Sequence, residues 1–387
     1  MVKPADLDFL RDYNDASVVA VARRARVFDR ATIASATGLT PQAVSKVVAR
    51  LVAAGLVEPD GVRRQGVGKP ASVYRLVPNS RYAIGAHVAR RTLRMVLSDL
   101  TGQVLNTIVG PLPPDFTPER LLDELAAGVG RLAGECRAGR LVGVGIGMVG
   151  PLDHAQGVVR DAHRLRHWHD VPLREMAAER LGLPVMLDKD VAAGVVGEAW
   201  LRGPHFRDAA LIMVESGIGA GLWLGGSAYR GAHTNAGEFG HMVVQTDGPP
   251  CVCGRRGCLE TLHDRALARG DVGTAARVLA VGVVNLLQTL DVGHVVLAGA
   301  DLLPHAAAYL EAVRTAVRTE VPRADWLAAE VTTPALGVDV IAAGAAMGML
   351  NERYGLPTGP RPAEAAKERA EEPAEEPGDP AAARAGG

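Results

Sequence analysis

From Asp29 to Leu51 the apolar residues come in two short runs divided by Gly38. Asp29 stands where a side chain can cap a helix, Gly38 where the chain can turn, and Thr40-Pro41 where a second helix can begin. In the second run Val44, Val47, Val48 and Leu51 recur at i, i+3, i+4 and i+7. That period predicts a buried stripe, with Gln42, Ser45, Lys46 and Ala49 on the opposite face. After the turn at Gly55-Leu56, residues 57–76 read as two strands around a basic, glycine-rich hairpin from Arg63 and Arg64 to Lys69-Pro70. The layout is a helix-turn-helix with a wing. Residues 81–355 then alternate β-rich runs, such as 141–146 and 210–214, with Ala/Leu-rich helical stretches, such as 117–136 and 274–289, the signature of an α/β body. Two glycine-punctuated strand-turn segments, 82–105 and 210–230, predict a body of two similar halves.

The division that follows is 1–80 for the winged helix, 81–357 for the α/β body, and 358–387 for a Pro/Ala/Glu-rich tail. From Arg361 onward the tail has no aromatic or large aliphatic residue, so it has nothing to bury in return for the entropy of ordering. The whole chain of 387 residues is nearly neutral, with 42 Lys+Arg against 43 Asp+Glu, and 48% hydrophobic, which excludes wholesale disorder. Residues 1–80 are locally basic, with 12 Lys+Arg against 7 Asp+Glu. No run of 18 uncharged apolar residues occurs and the N-terminus lacks an apolar leader, so the expected setting is the cytoplasm, with no membrane partner.

A polar-faced helix in a winged unit fits the major groove of duplex DNA, about 12 Å wide. Thr40, Gln42, Ser45 and Lys46 are the candidates for base edges. Arg50, Arg63 and Arg64 are candidates for phosphates, and Lys69, at a slim Gly-Lys-Pro tip, for a narrow minor groove. The implied partner is a double-stranded operator.

Three of the four cysteines gather at Cys251, Cys253 and Cys258, and His241 lies ten residues upstream. In a reducing compartment such crowding points to a metal rather than to a disulfide. Four soft ligands close one tetrahedral zinc per chain, Gly254 and Gly257 allow the sharp backbone, and a Cys3His shell leaves no open position for catalysis, so the ion is structural.

Glu238-Phe239-Gly240-His241 followed by Cys251-x-Cys253-Gly254-x-x-Gly257-Cys258-Leu259-Glu260 resembles the signature of the ROK family of repressors, open reading frames and kinases. With the winged helix in front, the chain is similar to the repressor branch. The resemblance covers roughly 20–350: Gly102 is expected to close the first hairpin, Trp168–Leu173 resembles a sugar-side loop, and Ser216–Gly221 resembles a second phosphate turn. It implies a two-lobed actin-like ATPase fold, a zinc beside the sugar cleft, and a homodimer or homotetramer. It places Asp190 at the catalytic base of the kinases, and Glu238, His241 and Glu260 among the residues that hold sugar hydroxyls.

The chain departs from the kinase pattern. Where the kinases carry an Asp-x-Gly phosphate loop, this chain has His87, Ala89 and Arg90, so no phosphoryl transfer is expected and Asp190 is a vestigial base. Ala298-Gly299 replaces a Gly-Gly turn, and the excursion after Glu260 is shortened to 261–277. Arg164 and Lys189 stand where the family has neutral amides, and an Arg fork or a Lys charge suits a carboxylate or phosphate better than a neutral hydroxyl, so a sugar phosphate or sugar acid is expected rather than a plain sugar. Asp188 reads as a solvated or strand-end charge rather than a second catalytic carboxylate, and Cys136 as a small core residue. The expected function is a DNA-binding regulator, a repressor, that responds to a carbohydrate-like effector. Two readings stand beside it: a sugar kinase with an appended DNA-binding domain, and a constitutive DNA-binding protein with a vestigial pocket.

Overall fold

Burial of the valine stripe organises the N-terminal unit of this computed structural model, which describes residues 7–63, 71–136, 140–162, 165–203, 205–322 and 326–355. A helix α1 (Leu7–Ala25) leads into a short strand β1 (Val27–Asp29), then α2 (Arg30–Thr37) and α3 (Pro41–Ala53). Two strands, β2 (Val57–Arg63) and β3 (Ala71–Leu76), complete an antiparallel sheet of order β1-β3-β2. The caps are as the sequence predicts: the Asp29 carboxylate accepts from the Thr32 N–H at 2.8 Å, and Thr40 Oγ1 accepts from the Ala43 N–H at 3.3 Å. Gly38 ends α2 in the left-handed region at φ 71°. Val44, Val47, Val48 and Leu51 are all buried. Helix α1 was not anticipated; its apolar positions bunch at Val18, Val19, Val21 and Ala22 instead of repeating along its length.

The body opens with a meander, β4 (Tyr82–Val88), β5 (Thr92–Asp99) and β6 (Val104–Pro111), followed by α4 (Pro118–Ala133) and β7 (Leu141–Met148). A small ladder of β8 (Leu152–Asp153), β9 (Val158–Asp161) and β10 (His169–Val171) leads to α5 (Leu173–Leu181), β11 (Val185–Lys189) and α6 (Asp190–Arg202). A second meander follows, β12 (Ala209–Val214), β13 (Ile218–Leu224) and β14 (Ser227–Tyr229). After it come α7 (Leu259–Leu267), α8 (Val272–Leu290), β15 (His294–Ala298), α9 (Ala306–Glu320), β16 (Glu330–Thr332) and α10 (Val340–Tyr354). The two five-stranded sheets have the orders β11-β7-β4-β5-β6 and β14-β13-β12-β15-β16. Each is a three-stranded antiparallel meander whose first strand is extended by two parallel strands. The two similar halves expected from the glycine-punctuated segments are therefore present as lobes, lobe I on the sheet of β4–β7 and β11 and lobe II on the sheet of β12–β16. Gly102, however, turns β5 into β6, the second hairpin of its meander rather than the first.

Helices α6 and α10 cross between the lobes with almost no side chain at the contact. A Cβ at Gly344 would fall 1.9 Å from the Ala193 carbonyl, and one at Gly197 2.8 Å from the Gly344 Cα. The same α10 lies flat on lobe I, where a Cβ at Gly85 would sit 1.8 Å from the Ala342 carbonyl. Helix α8 is the one helix among the described residues long and apolar enough to cross a membrane, and its Leu279, Val283 and Leu287 are buried in the core of lobe II.

The winged unit is continuous with lobe I. Val18, Val19 and Ala22 of α1 share one apolar cluster with Val44 and Leu51 of α3, Val96 of β5, and Ala342, Ala346 and Met347 of α10. The Arg23 guanidinium lies 3.3 Å from the Trp200 ring centroid, and the indole N–H of Trp200 donates to the Thr101 carbonyl at 3.2 Å. Arg81 donates to the Tyr354 hydroxyl at 2.9 Å and to the Ala54 carbonyl at 3.3 Å. The division near residue 80 marks a change of unit along the sequence, while packing runs straight across it.

Candidate functional site

On α3 the stripe faces inward and leaves Gln42, Lys46 and Ala49 exposed, with Ser45 half-buried. Thr40 is exposed at the helix start, where its hydroxyl oxygen is engaged as the cap. Arg63 is exposed at the end of β2. Arg50 is placed differently from the expectation: its guanidinium is bound by the Asp15 carboxylate of α1, with the Nε contact at 3.2 Å, so its first role is to tie α3 to α1. Arg64 and Lys69 lie outside the described residues.

The cysteines converge with His241. Cys251 Sγ is 3.6 Å from His241 Nδ1, Cys253 Sγ is 3.6 Å from Cys258 Sγ, and all four ligand atoms lie within 4.8 Å of one another. A tetrahedral ion with metal–sulfur bonds of about 2.3 Å spaces its ligands by roughly 3.7 Å, so the donor set fits. Gly257 makes this possible, since at φ 66° a Cβ there would fall 1.6 Å from the Gln245 carbonyl. Hydrogen bonds from the Arg255 backbone and guanidinium pull the Cys253 pKa down to about 6, toward the thiolate a metal requires. Cys258 is also the residue before α7, the helix that carries Glu260. His241 follows Glu238 on the same turn.

At the mouth between the lobes, three consecutive buried charges, Asp188, Lys189 and Asp190, span the end of β11 and the start of α6. Asp190 opens α6; burial pushes its carboxyl up to about 6, against the pull of the Val191 N–H at 2.7 Å. Lys189 Nζ donates to Glu238 at 2.7 Å and to the Ala236 carbonyl at 3.2 Å. Its charge is thus spent on a cleft carboxylate rather than left for an incoming anion. Glu260 accepts from the Ile218 N–H at 2.9 Å with one oxygen. Asp188 is not solvated: its side chain is 2% exposed and receives Arg230 of lobe II through Nε at 3.1 Å and a terminal nitrogen at 2.6 Å. Arg164, the other cation expected here, lies outside the described residues.

The ROK family's pattern matches residues 83–271, and that of the MarR family matches residues 18–65. The chain carries a ROK-family domain. It is 31% identical over 247 residues to a putative xylose repressor of Caldicellulosiruptor sp. (strain Rt8B.4), covering 62% of this chain and 61% of that one. A crystal structure of a ROK family transcriptional regulator, a homologue of the E. coli MLC protein, superposes with a TM-score of 0.72 at 20% identity, covering 90% of this chain and 98% of that chain. The ROK hexokinase of Thermus thermophilus superposes with a TM-score of 0.56 at 29% identity, over 69% of this chain and 97% of that chain. The actin-like two-lobed architecture behind a winged helix is thereby established for this chain.

Within the ROK domain the expected phosphate loop forms the end of β4 and its turn into β5. A cavity of about 440 Å³ opens there, lined among others by His87, Ala89, Arg90, Arg94, Glu215 and Asp301. Burial pushes the His87 pKa down to about 4 and the Glu215 carboxyl up to about 7, and the two stand 3.8 Å apart. Arg94 is engaged by Asp339 at 2.7 Å. Sequence reading missed Glu215, whose signal is its place at the tip of the uniformly apolar strand β12, just before Ser216-Gly217. Trp168 of the expected sugar-side loop is a core residue, fully buried and donating to the Phe116 carbonyl at 2.8 Å. Cys136 packs half-buried against the same core.

Proposed function

We propose that this protein is a cytoplasmic transcriptional repressor that reads duplex DNA with α3 and its wing and releases or retains it according to a neutral sugar held between the ROK lobes. One observation carries the reading: the α3 stripe, α1, α10 and lobe I share a single apolar cluster, so a change in lobe angle acts directly on the reading helix. The effector must bind one lobe arrangement better than the other, and that arrangement must set paired winged helices at a spacing unsuited to half-sites about one helical turn apart. Pairing of half-sites calls for a homodimer or a homotetramer.

The cleft chemistry favours a neutral sugar over a phosphate or an acid. Among the described residues Asp190, Glu238 and Glu260 supply three carboxylates against Lys189, which Glu238 already holds. Carboxylates accept hydroxyl protons and repel anions. The likeness to a putative xylose repressor agrees with this choice.

Kinase activity is disfavoured by His87 and Ala89, because a buried imidazole replaces the phosphate-loop carboxylate and burial pushes the nearby Glu215 carboxyl up to about 7, toward its neutral form. For the Cys3His cluster, zinc is the ion proposed: bound there it would cross-link the His241 turn to the 251–258 loop and hold Glu238 and Glu260 in place. The test is operator binding by the zinc-loaded protein during titration with D-xylose, D-glucose, glucose 6-phosphate, glucuronate and ATP-Mg. A neutral sugar that alters operator affinity supports the reading. A response only to the phosphate or the acid would reverse the charge argument, and turnover of ATP would restore the kinase.

A further inference from the structure

Behind the strand end that carries Asp190, a second cavity of about 510 Å³ opens between β11, the β13–β14 hairpin and the crossing of α6 with α10. One wall is bare backbone, at Gly344 and Gly348 of α10. Trp223 of β13 also lines it, half-exposed, and its indole N–H has no hydrogen-bond partner among the described residues. The polar side is built from His154, Asp188 and Arg230. His154 Nδ1 lies 2.7 Å from the Leu187 carbonyl and 3.5 Å from Asp188 Oδ1. Both neighbours are acceptors, so Nδ1 carries a proton, and Nε2 has no partner among the described residues, an acceptor in the tautomer whose proton sits on Nδ1.

The cavity's formal charges balance, with Asp188 and Glu352 against Arg174 and Arg230. Arg230 is closed on Asp188, and Arg174 is spent on the His154 and Gln156 carbonyls at 3.4 and 2.9 Å. What is left is an indole face, an indole donor, an imidazole acceptor and the Asn351 amide around a space of ligand size. An indole face packs against the C–H side of a ring, while the donors and acceptor suit hydroxyls.

We propose that this rear cavity is a second small-molecule site, for a neutral, hydroxyl-rich ligand such as a monosaccharide or polyol, distinct from the cleft at Asp190. Its walls come from both lobes, so an occupant wedges their angle. The same α10 that lines it packs against α1 through other residues, so that angle reaches the winged unit. The proposal does not depend on a sugar binding at Asp190.

Calorimetric titration of the full chain with D-xylose, D-glucose and xylitol tests it, using Ala228→Gln, Trp223→Leu and Asp190→Asn. Ala228 pairs with Trp223 across the hairpin and lines the cavity, so the longer side chain fills it from a sheet edge without removing core. The expected result is a binding event for at least one probe that weakens tenfold or more in Ala228→Gln and Trp223→Leu and persists in Asp190→Asn. Binding that vanishes in Asp190→Asn and is unchanged in both rear variants would overturn the rear site while leaving the cleft reading intact. Absence of saturable binding by all three probes would overturn it as well.

Discussion

The two lobes are built on one strand order, yet each has been put to a different use. Lobe I buries its outer helical face against the DNA-reading unit, through α1 and α10. Lobe II closes its own core around α7, α8 and α9 and carries the Cys3His loop at its rim. Where a second unit could cover the surface, apolar packing holds the lobe. Where a long irregular loop had to present Glu238 and Glu260 to the cleft, a metal-type cluster holds it. The lesson is that a duplicated sheet fixes the geometry of a hinge but not what each side reports to.

The sharpest way to break this contrast is to remove the cluster. Cys258→Ser is expected to take the metal content from about one ion per chain to none and to lower the melting temperature by about 10 °C or more, as binding energy at such sites is folding energy. Metal analysis with calorimetry checks it, and a variant that melts like the wild type would show that lobe II does not need the ion.

Next in size is the junction on lobe I. Deleting residues 1–78 would uncover Trp200, Met347 and their neighbours, so the remaining body is expected to melt roughly 4–8 °C lower and to lose operator binding. An unchanged melting point would mean that the shared cluster contributes nothing across the junction.

A smaller effect separates two cations on α3. Lys46→Ala is expected to weaken operator binding about tenfold and to reduce the salt slope by about one, as for one lost phosphate contact. Arg50→Ala, whose side chain is held by Asp15, is expected to lower the melting point while leaving the salt slope unchanged. Equal slopes lost in both variants would return Arg50 to the DNA interface.

The smallest effect is a pH dependence in the cleft. Asp190 is shifted from 3.8 to about 6, so the folded protein keeps its proton to higher pH than the unfolded chain does. Its ionisation therefore lowers folding stability as pH rises across that window, and it supplies the carboxylate a sugar hydroxyl needs only above it. Effector affinity is expected to rise by about tenfold from pH 5 to pH 7 and then level off, with Asp190→Asn flattening the profile. A flat wild-type profile would remove Asp190 from the effector contacts.

Much of this was legible in the chain itself. The α3 stripe, the caps at Asp29 and Thr40, the paired meanders and the Cys3His spacing all depend on local period or on short spacing, which a sequence displays directly. Contacts between distant segments were not. Asp188 is the strand-end charge that was one of its two readings, but the other, a solvated charge, fails because its partner, Arg230, lies 42 residues away on the other lobe. Its signal was three charges following the apolar run Val185-Met186-Leu187, where a carboxylate that becomes buried must find a cation. Arg50 and Lys189 were read as open to ligand for the same reason: the acids that occupy them, Asp15 and Glu238, are neighbours only in the fold. Helix α1 escaped because its valines crowd one end, and they pack on α10, more than 300 residues downstream, as well as on α2 and α3.

The bare crossing of α6 and α10 has a genetic consequence. With Gly344 seated on the Ala193 carbonyl and Gly197 facing it, a single added methyl group at either position is a spacer between the lobes. In a selection for alleles that silence or express their target whatever sugar is supplied, substitutions should therefore accumulate at these two glycines, far from both the operator and the cleft.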